Sequence, residues 1–201
     1  DYTLDKLLQL TEIYVKEKGE YVITREDVMK IAYEEELIEK EFIKMYKKEK
    51  ILITLAGEKI GSVNGLAVLD TGYYSFGRPI RITCVAYKGT GRIVDIQKES
   101  NLSGKIHEKS ISILRGLLSS LLNAYENIPV DFHISFEQTY GIVDGDSASS
   151  TELYGLLSSL SGIPIKQSIA VTGTVNQKGQ IQPIGGVNEK IEGYFQICKM
   201  R

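Results

Sequence analysis

Hydrophobic positions change their spacing along the chain, and the change predicts the order of helices and strands. Up to residue 50 they recur at helical intervals among many Lys and Glu residues, which predicts three helices. From Ile51 onward β-branched and other apolar residues form short runs between Gly-containing turns, which predicts strands. The predicted strands cover residues 51–55, 65–69, 80–87, 92–96 and 130–136.

The second half of the chain returns to helical spacing. Ile and Leu residues recur through 104–126, which predicts the longest core helix. A shorter helix is predicted after Ser147, then a hairpin of residues 168–175 and 180–184, then a helix that opens at Lys190. Helices and strands in this order predict an α/β (α+β) fold with mixed sheets and packed helices.

The change of pattern near residue 51 predicts two parts, a helical segment of residues 1–50 and a domain of residues 51–201. The chain has 201 residues, of which 42% are hydrophobic and 25% charged, an ordinary globular balance. The net charge of −2 gives no reason to expect a nucleic-acid partner. No apolar run reaches the roughly 20 residues that span a bilayer, so no membrane segment is expected. Cys84 and Cys198 form no CxxC pair, which favours reduced thiols in a cytoplasmic protein.

Ser147 and Lys190 are the residues with the clearest catalytic potential. Ser147 lies in a Gly-containing loop between the predicted strand 130–136 and a helix. Free backbone N–H groups at a helix start can stabilise an oxyanion, so the loop suits a serine nucleophile. Lys190 follows a Gly-Gly turn and can act as the base if burial lowers the pKa of its amine. We expect Ile184, Val187 and Ile191 to bury it.

The same two residues also have a purely structural interpretation. Serine at a helix start is most often an N-cap, and Lys190 could be a solvated helix lysine. His107 and His133 lie in no familiar base motif. We expect His107 on the surface or behind the site, and His133 as a structural strand residue. The spacing of the Cys and His residues matches no zinc pattern.

A nucleotide site is not expected within this sequence. A P-loop requires G-x-x-x-x-G-K-[ST], and the only Gly-Lys pair, Gly104-Lys105, is followed by Ile106. Any dependence on ATP would therefore come from segments or chains outside the printed sequence.

Four motifs in order along the chain resemble the proteolytic domain of the Lon protease family. They are VNGLAV at residues 63–68, FEQTY at 136–140, DGDSAS at 144–149 and GGVNEK at 185–190. The separation of Ser147 from Lys190 also fits the family. Residues 76–79, 95–96 and 106–107 are similar to the bacterial Lon-like branch that includes the LonC type. The resemblance covers about residues 60–201.

The resemblance implies a serine endopeptidase that degrades unfolded or damaged proteins through a Ser147–Lys190 dyad. It implies a ring-shaped homo-oligomer, a hexamer, in the cytoplasm. Thr172 would lie near the dyad, where its hydroxyl could bond the lysine amine. Asp144 would approach the lysine as it does in some family members.

The resemblance also bears on both ends of the chain. Residues 1–50 would correspond to the end of an AAA+ helical subdomain or its remnant, with a plain helical linker as the alternative. Lon proteolytic domains normally continue further beyond the catalytic lysine than this sequence, which ends at Arg201, continues beyond Lys190. We therefore expect the domain to be truncated at its C-terminus. No cofactor is expected in this chain, and ATP with Mg²⁺ would act through an AAA+ module outside it.

Two other functions fit the same fold. One is a non-catalytic scaffold or adaptor, which would not react with a serine-directed probe. The other is an amidase or esterase for small substrates, which would not cleave unfolded protein.

Overall fold

A computed structural model of the chain describes residues 2–35, 37–70, 75–122 and 129–200. The helices are α1 (Tyr2–Glu17), α2 (Arg25–Glu35), α3 (Leu37–Lys47), α4 (Ile96–Glu99), α5 (Lys105–Leu121), α6 (Ser149–Ser161) and α7 (Val187–Met200). The strands are β1 (Glu58–Lys59), β2 (Ser62–Asp70), β3 (Ser75–Lys88), β4 (Ile93–Asp95), β5 (Val130–Phe136), β6 (Ile165–Lys166), β7 (Ala170–Val171), β8 (Thr174–Val175) and β9 (Ile181–Gln182). The expected fold class, helices packed with mixed sheets, is confirmed.

The central element is a five-stranded mixed sheet with the order β4-β5-β3-β2-β7. β3 pairs antiparallel with β2 and β5, whereas β4 and β7 pair in parallel with their neighbours. β2 pairs with β3 from Ser62 to Asp70 but with β7 only at Asn64 and Gly65. Beyond Gly65, therefore, no strand among the described residues occupies the second edge of β2.

Three helices surround this sheet and bring the functional segments together. α6 and α7 both pack against β2 and β3, and α5 packs against α6 and β4. The main core contains apolar residues of β3, β5, α5 and α6, among them Ile82, Leu114, Ile134 and Leu156. α5 is buried at Leu114, Leu117 and Leu118, but Ile106 and Leu121 at its ends are exposed. The buried part of the predicted stripe is thus shorter than expected, and residues 123–126 lie outside the described residues.

Two predicted strand regions are corrected by the structure. Residues 51–55 form no strand; Ile53 instead packs in a second apolar cluster with Tyr46 and Ile197. The predicted strand 168–175 is divided, because β7 joins the central sheet and only β8 forms the hairpin with β9. Gly173 lies between the two short strands, and its backbone is engaged by the serine loop instead.

The N-terminal helices pack in two different ways. α1 packs mainly against α2, and α2 begins with a capping box in which Thr24 and Asp27 exchange hydrogen bonds. α3 packs against α7, and the Tyr46 hydroxyl donates to the carbonyl oxygen of Pro79 in β3 at 2.5 Å. α3 is therefore part of the same packed body as the sheet, while the division at residue 50 stays a prediction. None of the helices within the described ranges is both long and apolar enough to cross a membrane.

Candidate active site

Ser147 lies in a turn that hydrogen bonds hold against the segment between β7 and β8. It precedes α6 by two residues. The N–H of Gly173 donates to the carbonyl oxygen of Ser147 at 2.7 Å, and the N–H of Ser150 donates back to the carbonyl oxygen of Gly173 at 3.0 Å. The hydroxyl of Thr172 donates to the Ser147 carbonyl oxygen at 3.1 Å. Because its backbone is fixed at several points, the turn presents the Ser147 side chain in a defined direction.

Two backbone donors beside the Ser147 hydroxyl are uncommitted. The N–H groups of Ser147 and Ala148 donate to no acceptor among the described residues, and the N-cap residue Ala148 has no capping side chain. Adjacent free N–H groups ahead of a helix can bind an oxygen that gains negative charge. The serine turn therefore has the donors that an oxyanion requires.

The Lys190 side chain reaches the Ser147 hydroxyl from the first turn of α7. Lys190 Nζ donates to Ser147 Oγ at 3.1 Å and to Thr172 Oγ1 at 3.2 Å. The residue is only 3% exposed. The structure thus brings Ser147, Lys190 and Thr172 together. α7 begins at Val187, three residues before the helix start expected at Lys190.

Burial lowers the pKa of the Lys190 amine, and the negative charge of Asp146 acts in the opposite direction. Of the three residues expected to bury it, Ile184 is half-buried, whereas Val187 and Ile191 are 43% and 60% exposed. The backbone of β3 also lies directly against Lys190, since a Cβ on Gly77 would lie only 2.6 Å from Lys190 Cα. Within the described residues, the Lys190 amine contacts hydroxyl groups and forms no ion pair. A neutral amine is favoured by such surroundings.

Asp144 lies beside α5 and is not a partner of Lys190. Its Oδ1 accepts hydrogen bonds from the N–H groups of Ile106 at 3.1 Å and His107 at 3.3 Å. A backbone hydrogen bond from Gly145, together with those from His107 and Ile106, lowers the pKa of this carboxyl. The carboxylate that acts on Lys190 belongs to Asp146, whose Oδ1 accepts from Thr174 Oγ1 at 2.8 Å. The sequence argument missed Asp146, although its position next to the serine was a usable signal.

The two histidines lie outside the Ser147–Lys190 contact. His133 is on β5, where its Nε2 lies 2.8 Å from the hydroxyl of Tyr87. His107 is fully buried, so a surface location for it was wrong. Its ring lies between the carboxylates of Asp95 and Glu152. Asp95 was noted in the sequence only as part of the motif at residues 95–96, and Glu152 was not singled out. Glu152 occupies the buried face of α6 with Ser149 and Leu156, and that helical spacing was the available signal.

A groove of about 530 Å³ runs past the Ser147 hydroxyl. One wall is formed by residues 65–69 of β2, and the other by the serine loop and the start of α7. Its lining includes Leu66, Val68, Arg78, Ile142, Ser147 and Lys190. Within the described part of the chain, no group of three or more His, Cys, Asp or Glu side chains is arranged to hold a metal ion.

The sequence matches the model of one family, the Lon protease (S16) C-terminal proteolytic domain, over residues 33–195. The chain is 47% identical over 156 residues, 77% of its length, to the "Putative Lon protease homolog" of Escherichia coli (strain K12). It is 34% identical over 187 residues, 89% of its length, to the Archaeal Lon protease of Thermococcus kodakarensis. The chain spans only 27% and 28% of the lengths of these relatives. The family match and these two relatives show that the chain belongs to the Lon protease family and carries its proteolytic domain.

Proposed function

We propose that this domain is a serine endopeptidase in which Ser147 is the nucleophile and Lys190 is the general base. One observation carries the proposal: Lys190 Nζ lies 3.1 Å from Ser147 Oγ, in a residue that is only 3% exposed. A candidate base must first be within hydrogen-bond reach of the proton that it removes. It must also be neutral, and burial favours the neutral amine here.

The reaction proceeds by acyl transfer to the serine. The neutral Lys190 amine accepts the Ser147 hydroxyl proton as Oγ attacks the scissile carbonyl carbon, which gives a tetrahedral intermediate and an ammonium. The ammonium then gives its proton to the leaving amine as the C–N bond breaks, and an ester to Ser147 remains. Water attacks this ester with Lys190 again as base, which releases the carboxyl product and restores the serine.

The backbone N–H groups of Ser147 and Ala148 stabilise the oxyanion in this proposal, because neither has another acceptor among the described residues. Thr172 holds the amine in place. Its Oγ1 accepts from Lys190 Nζ at 3.2 Å while its hydroxyl donates to the Ser147 carbonyl oxygen at 3.1 Å. One threonine thereby sets the position of both reacting residues.

The groove favours a polypeptide over a small ester or amide as the substrate. Its β2 wall, residues 66–69, pairs with β3 on one side and with no described strand on the other. An extended peptide can add to such an edge through main-chain hydrogen bonds, which need no particular side chains. This form of binding suits unfolded or damaged proteins, the substrate class that we propose.

The decisive experiment measures cleavage of unfolded casein by the wild-type chain and by the Ser147→Ala variant. We expect cleavage by the wild type and none by the variant, together with covalent labelling of Ser147 by a serine-directed fluorophosphonate. Ser119→Ala is the matched control, because this hydroxyl is exposed on α5 and donates only to the carbonyl oxygen of Arg115. Casein cleavage by a folded Ser147→Ala variant would overturn the proposal.

Each alternative function has its own outcome in this experiment. A non-catalytic scaffold would be folded, unlabelled and inactive. A small-substrate esterase would be labelled and would hydrolyse an activated ester but leave casein intact. No feature of the described residues favours either of them over the peptidase.

We also propose, from the family, that the whole protein acts in the cytoplasm as a homohexameric ring, with ATP and Mg²⁺ bound by an AAA+ module outside this chain. A ring would keep folded proteins away from an unselective dyad. Light scattering of the protein that contains the AAA+ module tests the ring, and casein cleavage with and without ATP tests the coupling. A monomer at micromolar concentration, or equal rates with and without ATP, would contradict the respective part.

A further inference from the structure

A histidine and two carboxylates are buried together behind the serine turn. His107 of α5 and Glu152 of α6 are 0% exposed, and Asp95 at the end of β4 is 3% exposed. His107 Nε2 lies 3.1 Å from Asp95 Oδ2, and His107 Nδ1 lies 3.7 Å from Glu152 Oε1. The Phe136 ring packs edge-on against the imidazole, with 5.3 Å between the ring centroids. We call these three side chains the buried cluster.

The buried cluster is connected to the serine turn on both sides of Ser147. Before the serine, Asp144 Oδ1 accepts from the backbone N–H of His107. After it, Glu152 in the first turn of α6 faces the ring of the same histidine. Gly104 permits the first of these contacts, because a Cβ there would lie 2.3 Å from the Asp144 carboxyl carbon. His107 thus links the two ends of the segment that carries the nucleophile.

The cluster has too few donors to be stable with every group ionised. Neither ring nitrogen makes a well-directed hydrogen bond, and both Glu152 carboxyl oxygens are buried without a partner among the described residues. An isolated carboxylate in such a place is costly, and it avoids the cost by holding a proton. A proton between Glu152 Oε1 and His107 Nδ1 supplies the missing donor, while Nε2–H faces Asp95.

We propose that His107 and Glu152 are positioning residues for Ser147, and that one proton shared between them holds the first turn of α6 against α5. The inference rests on the proposed function, since it concerns the placement of the proposed nucleophile. Loss of that proton leaves the Glu152 carboxylate opposite a bare Nδ1 lone pair. The two repel each other, and the serine turn loses its attachment on the α6 side.

The charges around the cluster agree on the direction of the pH effect. Burial raises the pKa of Glu152 to about 7, with His107 opposing and Asp95 adding to the rise. Burial lowers the pKa of His107, but Asp95, Glu152 and Asp144 together raise it above its ordinary value. Among the described residues, Cys84 also lies close: its thiol is 3.8 Å from the Glu152 carbonyl oxygen, and burial raises its pKa, so it stays neutral. The His107–Glu152 pair therefore retains an extra proton near neutrality.

The first test does not depend on catalysis. Because the folded chain binds the extra proton, its melting temperature should fall as pH rises from about 4.5 through about 7. Glu152→Gln supplies a permanent N–H donor and should flatten this part of the profile. Glu108→Gln is the matched control, since Glu108 is partly exposed on α5 and pairs with Lys98 at 3.1 Å. It should keep the wild-type profile.

A second measurement follows the imidazole directly. His133→Gln leaves His107 as the only histidine, so its ring signals can be titrated by NMR without ambiguity. In that background the His107 pKa should lie above the ordinary value and should drop when Glu152→Ala is added. A His107 ring that titrates identically with and without Glu152 would overturn the shared proton.

The third measurement tests positioning. Glu152→Ala should lower kcat for a peptide by about 10- to 100-fold, the scale of a misplacement near 1 Å, with little change in KM, and should slow fluorophosphonate labelling of Ser147 similarly. Glu152→Gln should restore most of both rates. A folded Glu152→Ala variant with wild-type kcat and wild-type labelling would overturn the positioning role. If the alanine variant does not fold, a Glu152→Gln variant with the wild-type melting profile would overturn it instead. If the wild type neither cleaves nor labels, the proposed function fails, while the melting and NMR measurements still decide whether the proton is shared.

Discussion

Gly77 of β3 and Gly193 of α7 are in direct backbone contact. A Cβ on Gly193 would lie 1.8 Å from the carbonyl oxygen of Gly77, and a Cβ on Gly77 would lie 1.9 Å from the carbonyl oxygen of Glu189. Neither residue can carry a side chain while α7 keeps its position. Since Lys190 belongs to the same helix, its distance from Ser147 depends on this contact.

Gly193→Ala should therefore displace α7 and separate Lys190 from Ser147. We expect a loss of about 1–3 kcal/mol in the free energy of unfolding, as for overpacked cores, and a larger proportional loss of peptide cleavage. Urea unfolding and peptide turnover measure the two effects. Gly116→Ala on α5 is the control, because its Cβ would meet only Gln177 Nε2 at an ordinary 3.7 Å. Normal turnover in Gly193→Ala would mean that α7 adjusts without moving the lysine.

The rate of peptide cleavage should rise with pH as Lys190 loses its proton. Burial places the pKa of this amine below the ordinary lysine value, so the rise should lie at lower pH than for an exposed lysine. Lys190→Arg should be inactive, because a guanidinium stays charged. The check is a kcat/KM profile for both proteins, with Lys199→Arg on the exposed part of α7 as control. A rate independent of pH would exclude Lys190 as the base.

The contribution of Lys190 to the stability of the chain should change with pH in the opposite direction from the contribution of the buried cluster. The pKa of Lys190 is lower in the folded chain than in the unfolded chain, so between these two pKa values the unfolded chain binds more protons. The contribution of Lys190 to the free energy of unfolding therefore becomes more favourable as pH rises. Lys190→Met should consequently raise the melting temperature at neutral pH, and the gain should shrink toward alkaline pH. Lys199→Met should show no such dependence. A neutral-pH gain that persists unchanged at alkaline pH would contradict the lowered pKa.

Asp146→Asn should move the rising limb of the pH–rate profile to lower pH. The Asp146 charge favours the ammonium form of Lys190, and the amide removes that charge while its oxygen can still accept from Thr174 Oγ1. Glu192→Gln is the control, because this carboxylate is exposed on α7 and does not shift the Lys190 pKa. A limb that stays in place would show that Asp146 acts on the serine turn only through its hydrogen bond.

Thr172→Val should lower kcat, and its effect on kcat should be larger than its effect on KM. The change removes the acceptor for Lys190 Nζ and the donor to the Ser147 carbonyl oxygen at almost constant volume. We expect a loss of about ten-fold or more in kcat, since the reacting groups are no longer held in place. Thr83→Val on β3, whose hydroxyl donates to Glu137 Oε1, provides the control for a strand threonine. Equal turnover of the two variants would assign Thr172 a structural role.

Hydrophobic spacing and short motifs correctly predicted the features that depend on neighbouring residues in the sequence. The strand at 130–136 has the expected bounds as β5, and the loop motif and the Gly-Gly motif placed Ser147 and Lys190 in the segments that meet. Strand propensity failed at residues 51–55, because the partner of Ile53 is the distant Ile197 of α7. It failed again at 168–175, where Gly173 turns its backbone toward Ser147 and ends the strand.

Burial was the property least visible in the sequence. Ile184, Val187 and Ile191 were expected to cover Lys190, but Val187 and Ile191 are exposed. The close approach of the β3 backbone at Gly77 to the Lys190 backbone was not visible in the sequence. His107 was expected either on the surface or behind the site, and Glu152, polar by type, was not expected inside the core. They are buried because α5, α6 and β4 meet there, and only the packed structure brings three ionisable groups to one point.

The edge of β2 that pairs with no described strand beyond Gly65 has a consequence for the behaviour of the protein in solution. A strand edge that receives any extended backbone also receives the strand of another folding or damaged chain, and soluble proteins usually protect such edges against aggregation. Here the open stretch, residues 66–69, is apolar and lies beside Ser147. Under the proposed function, a chain that adds to this edge meets the nucleophile Ser147, so it would be cut at the surface to which it adheres.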